Sequence, residues 1–251
     1  MLLESVRLAL RSVLRNPLRS FLTLLGIVIG VAAVIAMITI GSGTTERVKE
    51  DIARLGSNLL IVSASRPARG GASFTPRRLD QRELEALRDG LTDVTAVSGT
   101  AQRQQRIVFG AQNMGADVTG TDAQYFIARD WNVAEGRAFG DMEGGVGGNV
   151  CLIGQTVRQE LFGNGDPLGQ MLRVNRMSCE IIGVLEAKGT TGFGQDQDAT
   201  VLMPLTTFQR RIAGNRDIGA IYVSARDGVS TERVGAQIED IMRQIRRIGP
   251  D

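Results

Sequence analysis

The feature that most constrains this chain is an apolar run from Phe21 to Ile40 that contains no charged residue. Twenty helical residues rise about 30 Å, which matches the hydrocarbon core of a bilayer. A secretory signal has a shorter apolar region and a small-residue cleavage site, and a buried core helix of a soluble domain has a polar face. The run is too long for a secretory signal, and it lacks the polar face of a core helix. It therefore predicts a transmembrane helix over residues 20–43.

Four arginines precede this run at intervals of four residues. They are Arg7, Arg11, Arg15 and Arg19, against the single acid Glu4. The positive-inside rule then places the N-terminus in the cytoplasm and the large following part in the periplasm of a bacterium. Because residues four apart share one helix face, residues 1–19 are interpreted as an amphipathic basic helix that meets membrane lipid or a cytoplasmic partner. An ordinary solvated charged flank is the alternative.

Within the run, Gly26, Gly30 and Ala33 form a stripe of small residues that lets another helix approach closely. A span that serves only as a tether does not need such a stripe. The helical spacing of apolar residues continues through "TTERVKEDIARLG", so residues 44–56 are predicted to form a helical stalk.

The rest of the chain alternates strand and helix patterns, with a hairpin-rich middle. We predict an α+β fold of two α/β-type periplasmic subdomains, one built of βαβ units and one inserted into it. The first comprises residues 57–110 and 214–251, and the second residues 111–213. Residues 134–140 ("AEGRAFG") are predicted to form a turn. Because a final strand–helix pair ordinarily continues into another strand, we expect the first subdomain to lack one. An exposed sheet edge is predicted near residues 220–226.

The composition argues against several kinds of chemistry. The 251 residues include no histidine, which excludes a Ser-His-Asp triad, a Cys-His pair and histidine-ligated metals. The chain contains no P-loop sequence. Beyond the basic N-terminus it is nearly neutral, which gives no footprint for nucleic acid. The acids of "GFGQDQDAT", Asp196 and Asp198, lack the spacing of a calcium loop. We therefore expect no catalytic, cofactor or metal site, and a structured polar loop at these acids.

The two cysteines, Cys151 and Cys179, both fall on predicted strands. The periplasm is oxidising, so a disulfide between them is one interpretation, and it would contribute about 3 kcal/mol by restricting the unfolded chain. Two separate buried thiols are the other.

An ordered series of segments resembles the N-terminal half of a MacB-type ABC transporter permease. The segments are "NPLRSFLTLLGIVIGVAAVIAM", "LGSNLLIV", "GTDAQYF", "VCLIGQTVRQELFGNGDPLGQ" and "DQDATVLMPLTTFQRRI". The resemblance implies a first membrane helix followed by a periplasmic core domain, with three further membrane helices expected beyond it. It also implies a dimer, in the bacterial inner membrane, that is driven by cytoplasmic ATPase domains. A periplasmic adaptor and an outer-membrane channel often accompany such permeases.

This sequence has no fused ATPase domain before its first helix, so the resemblance implies a separate cytoplasmic ABC ATPase subunit that binds the ATP. Three functions remain in competition. The first is a permease subunit that couples ATP hydrolysis to export or to mechanical work in the periplasm. The second is a membrane-anchored periplasmic binding or adaptor module with a single-span tether. The third, a periplasmic enzyme, has no catalytic constellation to support it.

Overall fold

The computed structural model describes residues 18, 21–22, 25–35, 37, 58–64, 78–140, 143, 148–191 and 194–246. The chain divides into two compact units, Met1–Arg54 and Leu55–Asp251. In the first unit, residues 25–35 are helical and exposed. Within the described residues, no helix combines the length and the apolar character that crossing a bilayer requires. The basic helix and the stalk predicted from the sequence lie outside the described residues.

The second unit combines a large sheet with helices, as predicted for an α+β fold. Its strands are β1 (Leu59–Ser63), β2 (Val94–Phe109), β3 (Gln112–Thr121), β4 (Val133–Gly136), β5 (Val150–Ile153), β6 (Met171–Val174), β7 (Met177–Leu185), β8 (Thr200–Pro204) and β9 (Ala220–Ala225). Its α-helices are α1 (Gln81–Gly90), α2 (Gln124–Ala128), α3 (Gln155–Phe162), α4 (Leu205–Phe208) and α5 (Thr231–Arg246). A π-helical turn, Gln209–Ala213, continues α4.

The strands form one sheet in the order β1-β9-β2-β3-β8-β5-β7-β4, and β6 pairs with both β2 and β7. The β1–β9, β9–β2 and β2–β3 pairs are antiparallel. The β3–β8 and β5–β7 pairs are parallel. Parallel neighbours require long crossovers, and here the crossovers carry α2, α3 and the hairpin of β6 and β7.

Buried side chains separate the unit into two lobes. We call β1, α1, the first half of β2, β9 and α5 the first lobe, whose core includes Leu84, Val97, Ile221 and Val234. The remaining elements form the second lobe. In its strands β5 and β8, alternate residues face opposite sides of the sheet, so that Ile153 enters one core while Leu152 enters the other. Both faces of this part of the sheet are therefore covered.

Strand β2 belongs to both lobes. Its first half pairs with β9 from Val94 to Thr100, and its second half pairs with β3 from Ala101 onward. Sixteen residues in extended conformation span roughly 50 Å. Val97 lies in the core of the first lobe and Ile107 in a core of the second. The division between the cores thus falls inside β2, whereas the sequence patterns place it after the strand, at residue 110.

Two local predictions are wrong. Residues 133–136, assigned in part to a turn, form the short strand β4, which pairs with β7 through an irregular register. The segment near residues 220–226 is not a sheet edge, because β9 is hydrogen-bonded to β1 on one side and to β2 on the other. Among the described strands of the first lobe, β1 lies at the edge, and its Ile61 is 54% exposed. After the second lobe, the chain returns to the first lobe as β9, which lies between β1 and β2, two strands from earlier in the sequence.

A buried carboxylate holds the two helices of the first lobe together. Asp80 caps α1 by accepting hydrogen bonds from the backbone N–H groups of Arg82 and Glu83. One oxygen of Glu83 accepts a hydrogen bond from the Asp80 N–H at 2.8 Å, which completes a capping box. Its other oxygen accepts the Nε–H of Arg246 at 2.7 Å, near the end of α5. The Glu83 side chain is fully buried, so each oxygen needs its partner.

We predict that Arg246→Gln lowers the free energy of unfolding by about 2–3 kcal/mol, because the buried Glu83 carboxylate would lose its charged partner. Arg243→Gln is the matched control, since Arg243 lies on the same helix in an exposed pair with Glu239 at 3.9 Å. Such a pair contributes less than about 0.5 kcal/mol. Urea unfolding of the full chain in detergent measures both variants, and equal losses would contradict the prediction.

Candidate functional site

The small-residue stripe lies on an open helix surface. Gly26, Gly30 and Ala33 fall within helical residues 25–35 and are exposed. A Cβ atom built on Gly26 or Gly30 would meet no atom within 4 Å. The two glycines are four residues apart and Ala33 is three further on, so all three share one face. This face has room for close approach of another helix. The arginines at 7, 11, 15 and 19 lie outside the described residues.

The structure joins Cys151 of β5 to Cys179 of β7 in a disulfide, with their Cα atoms 5.8 Å apart. Both side chains are fully buried in a core of the second lobe. The bond links neighbouring parallel strands that the sequence separates by a helix, a loop and a strand. It therefore reinforces the hydrogen bonding between β5 and β7 with a covalent connection.

The acidic loop fastens the second lobe internally. The Asp198 carboxylate accepts the backbone N–H groups of Lys188 and Gly189 at 2.8 and 2.9 Å. Asp196 accepts a hydrogen bond from the Thr156 hydroxyl at 2.8 Å. These oxygens are engaged by protein donors, which agrees with the structured polar loop expected from the sequence. Among the described residues, no group of three or more acids, cysteines or histidines is arranged to hold a metal ion.

Lys188 and Arg129 form a partly buried cationic pair beside an aromatic cluster. The Lys188 ammonium donates to the Arg129 carbonyl at 2.6 Å and lies 5.3 Å from the centre of the Trp131 ring. The Arg129 guanidinium lies over the Tyr222 ring at 5.5 Å. Burial, together with the charge of Arg129, lowers the pKa of Lys188 to about 8, despite the neighbouring acids Asp130, Glu186 and Asp198. The Arg129–Tyr222 contact also connects the second lobe to β9.

An open cleft of about 1100 Å³ lies where the lobes meet. Its walls come from α1, the start of β2, the turn after β3, α4 and the π-helical turn. Four arginines line it: Arg88 of α1, and Arg210, Arg216 and Arg226 from a later part of the chain. The sequence reasoning missed this grouping, since no local motif connects Arg88 with the three later arginines. Turns of π-helix are rare in proteins, and many of those known lie at functional sites. The sequence of this turn contains no pattern that predicts its π-helical form.

One ion pair crosses the cleft between the lobes. Arg88 of α1 donates to the Asp122 carboxylate at 2.6 Å and, through Nε, to the Val97 carbonyl at 3.1 Å. Asp122 also accepts the Gln124 N–H at 3.0 Å. Burial raises the pKa of the Asp122 carboxyl and outweighs the opposing effect of the Arg88 charge. The pair therefore fixes the first helix of one lobe against the end of β3 in the other.

Comparison with known families identifies the domain. The family described as MacB-like periplasmic core domain matches residues 20–241. The chain belongs to the MacB-like periplasmic core domain family. The match confirms the resemblance inferred from the sequence and includes helical residues 25–35 as well as nearly all of the second unit.

Relatives of this MacB-like domain are ATP-binding permeases. "Macrolide export ATP-binding/permease protein MacB" of Rhodospirillum rubrum is 36% identical over 245 residues, which cover 96% of this chain and 37% of the relative. The protein of the same name from Azoarcus sp. is 38% identical over 230 residues, which cover 90% of this chain and 34% of that protein. The chain thus spans about a third of the length of these curated relatives.

Two solved structures show the same fold. The periplasmic region of MacB from Actinobacillus actinomycetemcomitans aligns with a TM-score of 0.63 at 20% identity, covering 78% of this chain and 87% of that one. The extracellular domain of the noncanonic ABC-type transporter YknZ from Gram-positive bacteria aligns with a TM-score of 0.59 at 18% identity, covering 68% and 85%. At these identities, the likeness concerns the fold of the MacB-like domain.

We predict that the double variant Cys151→Ala/Cys179→Ala is about 3 kcal/mol less stable than the wild-type chain, because the disulfide restricts the unfolded chain. Unfolding in urea with and without dithiothreitol measures the effect. The reductant should destabilise the wild type to a similar extent and leave the double variant unchanged. A wild-type chain that is alkylated at both cysteines when unfolded without reductant would contradict the disulfide.

We predict that the stability of the wild type rises relative to Lys188→Met between pH 7.5 and pH 9.5. The pKa of Lys188 is about 8 in the folded state, against 10.5 for an ordinary lysine. In this interval the unfolded state therefore binds more protons, and the free energy of unfolding increases with pH. After discounting for solvent screening of a partly exposed side chain, the relative gain is about 1 kcal/mol.

Urea unfolding at the two pH values measures this gain. Lys188→Arg is the control, since it keeps a positive charge that does not titrate in the interval. The wild type should gain stability relative to both variants. Parallel changes of all three proteins with pH would contradict the lowered pKa of Lys188.

Proposed function

We propose that this chain is the N-terminal part of an ABC transporter permease subunit in the bacterial inner membrane. Its MacB-like periplasmic core domain would couple ATP hydrolysis by a separate cytoplasmic ATPase to export or to mechanical work in the periplasm. The chain itself would be non-catalytic, with ATP bound by the partner subunit. Membership of the MacB-like family and the ATP-binding/permease names of its relatives support this proposal.

The observation that carries the proposal is the mechanical continuity of the periplasmic unit. β1 follows the predicted stalk in the sequence, and it is hydrogen-bonded along its length to β9, which in turn pairs with β2. β2 then runs without interruption into the second lobe. A displacement applied at β1 would therefore pass through two hydrogen-bonded ladders into the distant lobe.

Side-chain contacts reinforce this path. The Arg88–Asp122 ion pair connects α1 to the end of β3, and the Tyr222 ring of β9 packs edge-on against Tyr125 of α2 with their centres 5.6 Å apart. In the first lobe, α5 lies against β1 near Leu60 and is joined to α1 by the Glu83–Arg246 pair. Such fixed links favour movement of the whole unit over independent movement of its lobes.

The assembly would place two copies of the permease subunit together, with the N-terminus in the cytoplasm and the core domain in the periplasm. In this proposal the face of Gly26, Gly30 and Ala33 packs against other membrane helices, and the basic N-terminal residues contact lipid and the ATPase subunit. A periplasmic adaptor and an outer-membrane channel are further proposed partners. The competing proposal is a single-span tether for a periplasmic binding module, in which the small-residue face contacts only lipid.

Replacement of the glycines distinguishes the two proposals. In the complete transporter in native membranes, Gly26→Leu/Gly30→Leu should reduce by about tenfold the ATPase subunit that co-purifies with the chain, because leucine prevents close helix approach. Ala32→Leu is the matched control, since residue 32 points away from this face. Comparable membrane insertion of all variants is verified first. Unchanged co-purification and ATPase stimulation in the double variant would contradict the permease role and favour a tether.

A further inference from the structure

The cleft between the lobes carries unused positive charge. Arg88 is paired with Asp122, and Arg226 donates to the Thr92 carbonyl at 3.2 Å. Among the described residues, the guanidinium groups of Arg210 and Arg216 have neither an ion-pair nor a hydrogen-bond partner. Asp122 is the single acid among the described lining residues. A concave surface with this imbalance attracts anions.

Polar groups are spread through the walls of the cleft, which disfavours a hydrocarbon chain as the main occupant. The apolar side chains at the cleft are already covered by their own packing, since Leu84, Leu91 and Leu205 are 1%, 6% and 7% exposed. Seven further lining residues carry amides or hydroxyls: Gln81, Gln124, Gln209, Asn215, Thr92, Thr95 and Thr206. Such groups form hydrogen bonds with amide main chain and with other polar ligands. The cleft therefore suits a hydrophilic ligand.

The size of the cleft favours an extended ligand. Its volume of about 1100 Å³ lies at the upper end of the range of roughly 300–1,000 Å³ typical of small-molecule pockets, and the cleft is open to solvent. The cleft arginines come from α1, from residues 210–216 and from the end of β9, so the positive charge is not confined to one element. A single small anion would engage only part of this surface.

Main-chain groups of β2 add a further element of recognition. Before Ala101, β2 is paired with β9 only, and its opposite side is not part of a ladder with β3. Thr92 and Thr95 are exposed at the start of this stretch and line the cleft. On this side of β2, the Val97 carbonyl accepts the Arg88 Nε–H and the Gly99 carbonyl accepts the Thr121 hydroxyl. An extended peptide can therefore hydrogen-bond only to the exposed start of the strand.

We propose that the cleft between the lobes binds an acidic peptide segment in extended conformation. Carboxylates of the segment would meet Arg210, Arg216 and Arg226, and its main chain would meet the amides and hydroxyls of the walls and the exposed start of β2. The bound segment would contact both lobes. This proposal concerns peptide binding alone and does not depend on coupling to an ATPase, so the two proposals fail independently.

Fluorescence anisotropy with the full chain in uncharged detergent micelles tests the proposal. The probe is a fluorescein-labelled octapeptide of alternating glutamate and serine, and the same peptide with glutamine in place of glutamate is its control. Saturable binding of the acidic peptide at 50 mM salt should weaken at least about tenfold in Arg210→Gln/Arg216→Gln. Arg173→Gln/Arg176→Gln removes the same charge at exposed positions outside the cleft and should change the affinity less than about twofold.

A variant that makes the cleft more positive gives a second measurement. Asp122→Asn removes the acid that occupies Arg88 and should tighten binding of the acidic peptide about threefold or more, because the repulsion of the ligand also disappears. Thermal unfolding of each variant establishes that it is folded. An unchanged or weaker affinity in Asp122→Asn contradicts the proposal.

Other ligand classes are outcomes of the same assay. Equal losses in the two arginine pairs would indicate non-specific attraction, and equal binding of the glutamine peptide would remove the requirement for carboxylates. Displacement of the probe by millimolar inorganic phosphate or by phosphatidylglycerol vesicles would assign the cleft to a small anion or to a lipid headgroup. Each of these results overturns the proposal of an acidic peptide.

Discussion

The structure depends on one continuous strand that is hydrogen-bonded differently along its two halves. β2 pairs with β9 up to Thr100 and with β3 from Ala101. Buried backbone N–H and C=O groups need hydrogen-bond partners, and β2 finds them in β9 along its first half and in β3 along its second. The sheet is therefore continuous although its two ends belong to different cores. The cleft also lies here, because the side of β2 that faces away from β9 has no neighbour among the described strands before Ala101, where its pairing with β3 begins.

Polar contacts then position the lobes around this strand. Arg88 and Asp122 join α1 to the end of β3, while Glu83 and Arg246 join α1 to α5. Both pairs include a carboxylate that is largely removed from water. Breaking either pair therefore lowers the free energy of unfolding more than breaking an exposed pair does. The disulfide between β5 and β7 supplies a covalent link inside the second lobe. These contacts hold the two lobes of the MacB-like domain together, as the proposed coupling would require.

Local patterns predicted most elements of this domain. Strand and helix patterns alternate along the sequence as the elements do in the structure, and the predicted hairpin-rich middle contains the hairpin of β6 and β7. β4 was missed because it has only four residues, is mostly exposed and ends in Gly136 with a positive φ. The place of β9 between β1 and β2 was also missed, since strand order depends on contacts distant in sequence. The sequence singled out the two cysteines but not the cleft arginines. The packing role of the small-residue stripe stays a prediction.

The sequence by itself determined the family, the alternation of strands and helices, and the apolar run with its arginine-rich flank, because these depend on residues close together in the chain. Only the tertiary structure decided that β2 serves both lobes, that Glu83 meets Arg246, and that Arg88, Arg210, Arg216 and Arg226 line one cleft. Gly120 illustrates the same limit: a Cβ there would collide with Phe208 of α4, a neighbour that its surrounding sequence does not reveal. Such contacts arise from the pairing of distant strands, and that pairing is a property of the whole chain.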